Sequence, residues 1–194
     1  MASQVRLATR EDEPELLRLL HIMWKEGGML PLDLDRAREW FGMAFDRKGG
    51  IFGVIDEPGK PGNIRAMIYL FMARYWYTKV YHLEEVFNFV RPDQRETSCA
   101  KELIEFAKDC ATHSDMMLLI GVLTNHRTEG KIRLYRRLLG MVPSGAFFAY
   151  NAKWVNLESS SSFWKDIFKV HKRDVPVEKP VLPPTRSRRR ESVG

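Results

Sequence analysis

From residue 64 to residue 90 the chain is dominated by β-branched, aromatic and long aliphatic residues, broken at Thr78-Lys79, with Pro92 just beyond the end. Such residues fit a pleated, half-buried backbone better than a helix. Two long strands, 64–77 and 80–90, are therefore expected as a central antiparallel hairpin, with Pro92 stopping the second. Two such strands are not stable alone in water, so their faces require covering layers.

The flanks supply those layers. Residues 4–8 alternate Val5 and Leu7 with polar neighbours and read as a short strand. From Asp12 the period changes: Leu16, Leu17, Leu19, Leu20, Met23 and Trp24 share one helical face, with Thr9 or Asp12 as cap and Gly27-Gly28 as stop. A second amphipathic helix is expected over 34–45, with Ala37, Trp40, Phe41 and Ala44 inward. Gly49-Gly50 opens a strand over 51–55, and 57–63 is a turn by composition. After Pro92, Thr97 or Ser98 caps a helix whose Ala100, Leu103, Ile104, Phe106, Ala107 and Cys110 face inward. The continuous apolar run 117–123 fits a buried strand, 129–139 a helix ended by Gly140, and 145–154 an aromatic strand. The domain is expected to span 1–156. The extension 157–194 holds a serine-rich break, a short amphipathic helix at 163–170, a proline-rich stretch and the basic run 186–190.

Length and composition narrow the class. The chain has 194 residues, 44% of them hydrophobic, which suits one domain and is too apolar for a disordered polymer. Two cysteines, Cys99 and Cys110, are too few for a disulfide framework or a four-thiolate zinc site, and no Cys/His/Asp cluster has metal-ligand spacing. The longest apolar runs fall short of the ~20 residues that span a bilayer, and residues 1–10 lack a secretory core. A soluble, cytoplasmic protein without a metal is expected. The formal charge of +6 is concentrated in the tail: residues 171–194 hold seven basic and three acidic side chains. Such a tail attracts nucleic acid or an acidic surface without reading sequence.

The segment Val90-Arg91-Pro92-Asp93-Gln94-Arg95-Glu96-Thr97-Ser98-Cys99-Ala100 carries the chemistry. A strand stops, a tight turn follows and a helix starts at once. That arrangement aims backbone N–H groups and the positive helix end at one point, which suits a phosphate or pyrophosphate. In this segment, and over residues 5–150 as a whole, the chain resembles the GCN5-related N-acetyltransferase superfamily. Val90-Arg91-Pro92 matches the family's V-x-P strand end. Arg95 to Ala100 fits the R-x-x-G-x-G/A pyrophosphate loop at its first and last positions, with Ser98 and Glu96 where glycines are usual. Residues 117–123 look like the buried strand that follows, and Leu134-Tyr135-Arg136-Arg137-Leu138-Leu139-Gly140-Met141 like the tyrosine-bearing helix end.

The resemblance implies an α/β fold: a mixed, mostly antiparallel central sheet flanked by helices on both faces. It implies acetyl-CoA as acyl donor and a primary amine, small molecule or protein, as acceptor. The general base is then Glu84 or Glu85, which alternation places on opposite faces of the second long strand. Tyr135 is the general acid for the departing thiolate. Backbone groups around Phe89 and Val90 pair with the pantetheine arm, and Arg95, Glu96, Thr97, Ser98, Cys99 and Ala100 hold the pyrophosphate. The position of the asparagine often found seven residues before the tyrosine falls at Thr128; Asn125, three residues earlier, is counted among the cofactor residues. His82 and His126 are alternative bases. The acceptor enters over the first helix and the 30–50 region, against Trp24, Met29, Leu30, Trp40 and Phe41. A second reading, from another class, is an acetyltransferase-like scaffold with weak or no catalysis, as in bacteriophage virion components. In it 163–170 docks on a neighbouring subunit and 186–190 on nucleic acid or an acidic surface.

Overall fold

The computed structural model describes residues 5–122 and 128–140. The elements are β1 (Arg6–Leu7), α1 (Glu13–Gly27), α2 (Leu34–Phe45), β2 (Gly50–Glu57), β3 (Lys60–Ala73), β4 (His82–Val90), α3 (Cys99–Ser114), β5 (Met117–Leu119) and α4 (Thr128–Leu139). The strands form one sheet in chain order, β1 to β5. All neighbours are antiparallel except β4 and β5, which run parallel. The mixed, mostly antiparallel sheet flanked by helices is the architecture implied above.

Alternation along β3 divides the core in two. Met67 and Tyr69, with Phe52, Phe87 and Phe89, pack against Leu16, Leu19 and Leu20 of α1 and Phe41 of α2. Ala66, Ile68 and Leu70 on the opposite face, with Ile55 and Val90, pack against Cys99, Leu103 and Ala107 of α3. Aromatic rings dominate the first layer: Phe41 meets Phe52 edge-on at 5.0 Å, and Tyr69 Oη donates to the Trp40 carbonyl at 2.9 Å. The second layer depends on a close approach at Gly53. A Cβ there would lie 2.6 Å from the Phe106 ring of α3, so a side chain would force that ring to move.

Element bounds differ from the sequence reading where turns and pairing intervene. The hairpin turn is tighter than 57–63, because Gly59 at φ +74° lets pairing resume at Lys60, opposite Glu57. β3 consequently starts earlier and ends at Ala73, leaving 74–81 as a loop. β5 is only three residues long and Met117 is exposed, because only its first residues find a partner on β4. Ser98 is the residue before α3, but its hydroxyl bonds to Glu102 instead of capping the backbone. α4 closes at Gly140, whose φ of +64° is the left-handed stop that glycine provides without strain. The 145–154 strand, the boundary at 156 and the whole extension lie outside the described residues.

The edge of the sheet is clamped to α1 by charge. Arg6 on β1 donates from both Nη atoms to Asp12 at 2.8 Å and from Nε to Asp56 on β2 at 2.6 Å. Asp12, buried just before α1, also accepts the Thr9 N–H at 2.8 Å. These bonds hold the Asp12 carboxyl below the usual carboxylate range, chiefly through Arg6. Asp12→Ala should cost about 2–3 kcal/mol at pH 7, read as a lower urea midpoint. Because the folded pKa is depressed, this stabilisation is present above the ordinary carboxylate pKa and is lost as pH falls through the folded value. The gap between wild type and variant should therefore narrow below about pH 4.

Candidate functional site

β4 is paired very differently on its two sides. Toward β3 the ladder runs from His82 to Val90, and the Arg91 N–H still donates to Arg65 O at 2.9 Å. Counting back from that bond turns the backbone groups of Phe89 and Phe87 toward β3 and those of Asn88 and Val90 outward. Toward β5 the ladder covers only His82, Leu83 and Glu84, opposite Met117, Leu118 and Leu119. Beyond Glu84 no strand among the described residues takes the outward edge. On that edge Val90 O accepts the Arg95 Nε at 3.3 Å. An extended chain of amide groups could therefore add to β4 there as a further strand would.

A bulge sits at the point where the ladders part. Leu70 faces Glu85 and Tyr69 faces Phe87, so Val86 is an extra residue with no partner on β3. The consequence is positional. Simple alternation puts residues three apart on opposite faces, but the bulge puts Glu85 and Asn88 on the same one, where both reach Tyr135 of α4. Asn88 Nδ2 donates to Tyr135 Oη at 2.9 Å, and Tyr135 Oη donates to Glu85 Oε1 at 3.5 Å. Glu84 is turned away: its side chain is 54% exposed and lies 3.8 Å from His82.

Glu85 is only 8% exposed, and its Oε2 has no hydrogen-bond partner among the described residues. Burial pushes its pKa up to about 8, against smaller opposing effects from Lys131, the Tyr135 hydroxyl and the Gly121 N–H. Tyr135 is driven well above the ordinary phenol value by burial and by the neighbouring carboxylate, so it is a neutral proton donor. Lys131, one turn earlier on α4, is lowered by burial; Glu85 opposes that shift and Arg95 adds to it. A carboxyl poised near neutrality beside a protonated phenol has the chemistry to pass a proton to or from a ligand.

The turn from β4 to α3 is held from outside. Arg91 donates to Asp93 at 2.7 Å, to Asn63 at 3.0 Å and to Glu57 at 3.3 Å, tying the turn to the β2–β3 hairpin. Arg95 does not stand free beside the turn. Its guanidinium is ion-paired with Glu26 of α1 and lies 5.8 Å over the Phe89 ring. Thr97 Oγ1 donates to Gln94 O at 2.6 Å, while Glu96, Thr97 and Ser98 are exposed. No residue from 91 to 98 has a positive φ, so the backbone does not require glycine at Glu96 or Ser98. Cys99 is fully buried under α3, so its side chain serves the core; Ala100 is partly buried on the same helix.

Of the residues singled out in the sequence, Glu85, Tyr135 and Val90 lie around one end of β4, with Arg95 to Ala100 forming the turn that follows. Glu84 is not part of this group, and the backbone of Phe89 is directed at β3. His82 is buried and stacks on Tyr75 at 5.0 Å, away from Tyr135. Asn125 and His126 lie outside the described residues. Asn88 carries no sequence signal of its own; only the bulge reveals it. On the other face of the sheet, Trp40, Phe41, Leu20, Leu32, Val86 and Phe87 line a cavity of about 220 Å³, with Asp33 and Arg36 at it too. Trp24, Met29 and Leu30 do not line it: Trp24 Nε1 is bonded to Leu30 O at 2.7 Å, and Leu30 is exposed.

The fold is shared with known structures. A GCN5-related N-acetyltransferase from Ralstonia eutropha matches at TM-score 0.59 and 19% identity, over 75% of this chain and 96% of that one. The chain has the GCN5-related N-acetyltransferase fold. A protein from Clostridium acetobutylicum described as a predicted acetyltransferase, solved with acetyl-CoA, matches at TM-score 0.60 and 14% identity, over 76% of this chain and 94% of its own. An integron cassette protein from the mobile metagenome of a Cole Harbour salt marsh matches at TM-score 0.60 and 22% identity, over 77% and 90%. No family model and no curated sequence matches the chain.

A buried acid with a raised pKa penalises this fold at high pH. The folded state holds the proton up to about pH 8, whereas the unfolded chain releases it near pH 4.5. Stability from Glu85 is thus complete at low pH and lost as pH rises through 8. Glu85→Gln, which keeps the shape without the charge, should be more stable than wild type at pH 9 by roughly 2–4 kcal/mol and nearly equal at pH 4. Chemical denaturation at the two pH values reads this directly.

Proposed function

We propose that the chain is an acetyl-CoA-dependent N-acetyltransferase acting on a primary amine. The observation that carries the reading is the buried Glu85–Tyr135–Asn88 group beside the unpaired edge of β4. Three features fit the donor. The edge offers backbone groups of Asn88 and Val90 to an amide-bearing arm. The start of α3 offers N–H groups and the positive helix end to a diphosphate, with no glycine needed for the path of the turn. The partnerless Glu85 Oε2 leaves an acceptor site for a proton.

Bound acetyl-CoA supplies the activated acyl carbon and a thiolate leaving group. The proton transfers are carried out by side chains of this chain. Glu85, ionised above its raised pKa, takes a proton from the acceptor ammonium so that a neutral amine can attack. Tyr135, kept protonated, donates to the departing sulfur, and Asn88 fixes the direction of its hydroxyl. The nitrogen of the adduct gives up its remaining extra proton to water, and the Tyr135–Glu85 contact returns the proton taken from the ammonium to Tyr135, so both groups are restored and one proton is released overall. Arg95 acts by position: its ion pair with Glu26 fastens the turn to α1.

Thermal unfolding tests the donor. Acetyl-CoA or CoA at about a hundredfold over Kd should raise the midpoint by roughly 5–10 °C, and ATP should not. No shift at millimolar acetyl-CoA overturns the reading. With an accepted amine, kcat/KM should rise with pH and level off above about 8, as the Glu85 carboxyl ionises. Glu85→Gln should keep the thermal shift while turnover falls by roughly a hundredfold or more, and Tyr135→Phe should lower turnover about tenfold to a hundredfold. Full turnover in both variants would remove them from the chemistry.

A further inference from the structure

The loop that joins β3 to β4, residues 74–81, takes no part in the site described above. It opens at the His82 end of β4, whereas the turn into α3 leaves from Val90, roughly 25 Å away along the strand. Four of its eight residues are aromatic, and they are not buried: Trp76 is 95% exposed, Tyr77 69%, Tyr81 45% and Tyr75 43%. An ordinary surface buries rings or scatters them singly, so a contiguous exposed group marks a place for a partner.

These rings pack on one another. Tyr75 and Tyr77 stack at 5.5 Å with 11° between their planes. Tyr75 in turn stacks on the buried His82 at 5.0 Å, which roots the pile in the sheet. Trp76 stands edge-on to Tyr77 at 5.6 Å and leaves its indole in solvent. Cations surround them. Arg74 lies 5.3 Å over the Tyr81 ring, and Lys79 has no carboxylate partner among the described residues. Arg47 is also unpaired among them, in the turn whose Gly49 O accepts the Met72 N–H at this end of β3. Residues 73–83 contain no acid, and the nearest one along β4, Glu84, lies 3.8 Å from His82.

We propose that this loop binds single-stranded nucleic acid. Exposed ring faces take unpaired bases, and interleaved Arg and Lys take the phosphates between them; that pairing of chemistries is what sequence-tolerant single-strand sites use. A sugar surface fits less well, because saccharide hydroxyls call for carboxylates and amides, and residues 73–83 contain no Asp, Glu, Asn or Gln. Duplex DNA buries its base faces and offers nothing to Trp76. The site is separate from the acetyl-CoA reading and stands or falls independently of it.

The test is fluorescence anisotropy of a labelled twelve-nucleotide oligo(dT) with the full chain. The basic tail contributes a stacking-independent background, so the comparison is between variants at fixed salt. Trp76→Ala and Tyr77→Ala, both exposed enough to leave the fold intact, should each weaken oligo(dT) binding at least about fivefold. The same variants should leave binding to a twelve-base-pair duplex unchanged. Arg74→Gln with Lys79→Gln should flatten the salt dependence by about one to two phosphate contacts. Equal affinity of wild type and ring variants for oligo(dT) overturns the proposal, as does duplex binding that falls in parallel with it. So do two other results: ring variants that lose binding to phosphatidylserine vesicles but not to oligo(dT), which assigns the loop to membranes, or that only convert a dimer to monomer in sedimentation, which assigns it to a second copy of the chain.

Discussion

The proposed catalytic site depends on the unequal pairing of β4. One side is bonded to β3 along the whole strand, so β4 is fixed and cannot shift register without turning Phe87 and Phe89 out of the core. The other side is bonded to β5 for three residues and then released. A fully paired strand would have no backbone groups to offer, and an unpaired one would have no fixed direction. The half-paired strand has both, and the bulge at Val86 stands where one state gives way to the other.

The bulge also decides what the buried charge can do. An isolated ionised carboxylate under a sheet is costly, and the fold tolerates Glu85 by keeping it largely protonated at neutral pH. Tyr135 and Asn88 are hydrogen-bonded around it without neutralising it, and one carboxylate oxygen is left over. A structural salt bridge looks different: Arg6 is held by Asp12 and Asp56, and its bonds to Asp12 lower that carboxyl. The two sites in one chain show carboxylates driven in opposite directions, one by partners and the other by their scarcity.

Much of the fold was legible along the chain. The 34–45 helix is found with the bounds its apolar spacing suggests, and the helix after Pro92 buries Leu103, Ile104 and Ala107 as the 3.6-residue period requires. Strand ends were less legible, because they depend on partners: β5 stops at Leu119 although its apolar run continues, and β3 starts at Lys60 because one glycine tightens the hairpin. In the site, the turn 91–98 was readable from Pro92 and the helix that follows it. That Arg95 would pair with Glu26 was not, since the two are 69 residues apart and only the packing of α1 joins them.

By itself, the sequence determined the element types, the two apolar faces of the central hairpin and the abrupt strand-to-helix turn, because each follows from local periodicity and from the geometry of proline and glycine. It also limited the strand carboxylates to Glu84 and Glu85 on opposite faces. Only the tertiary structure decided which of them is buried, because strand parity is relative until a neighbour covers one side. It alone placed Asn88 beside Glu85, since one extra residue at Val86 reverses the parity that alternation would assign. And it alone left Trp76 and its neighbours in solvent, because β3 ends four residues earlier than its apolar composition suggests.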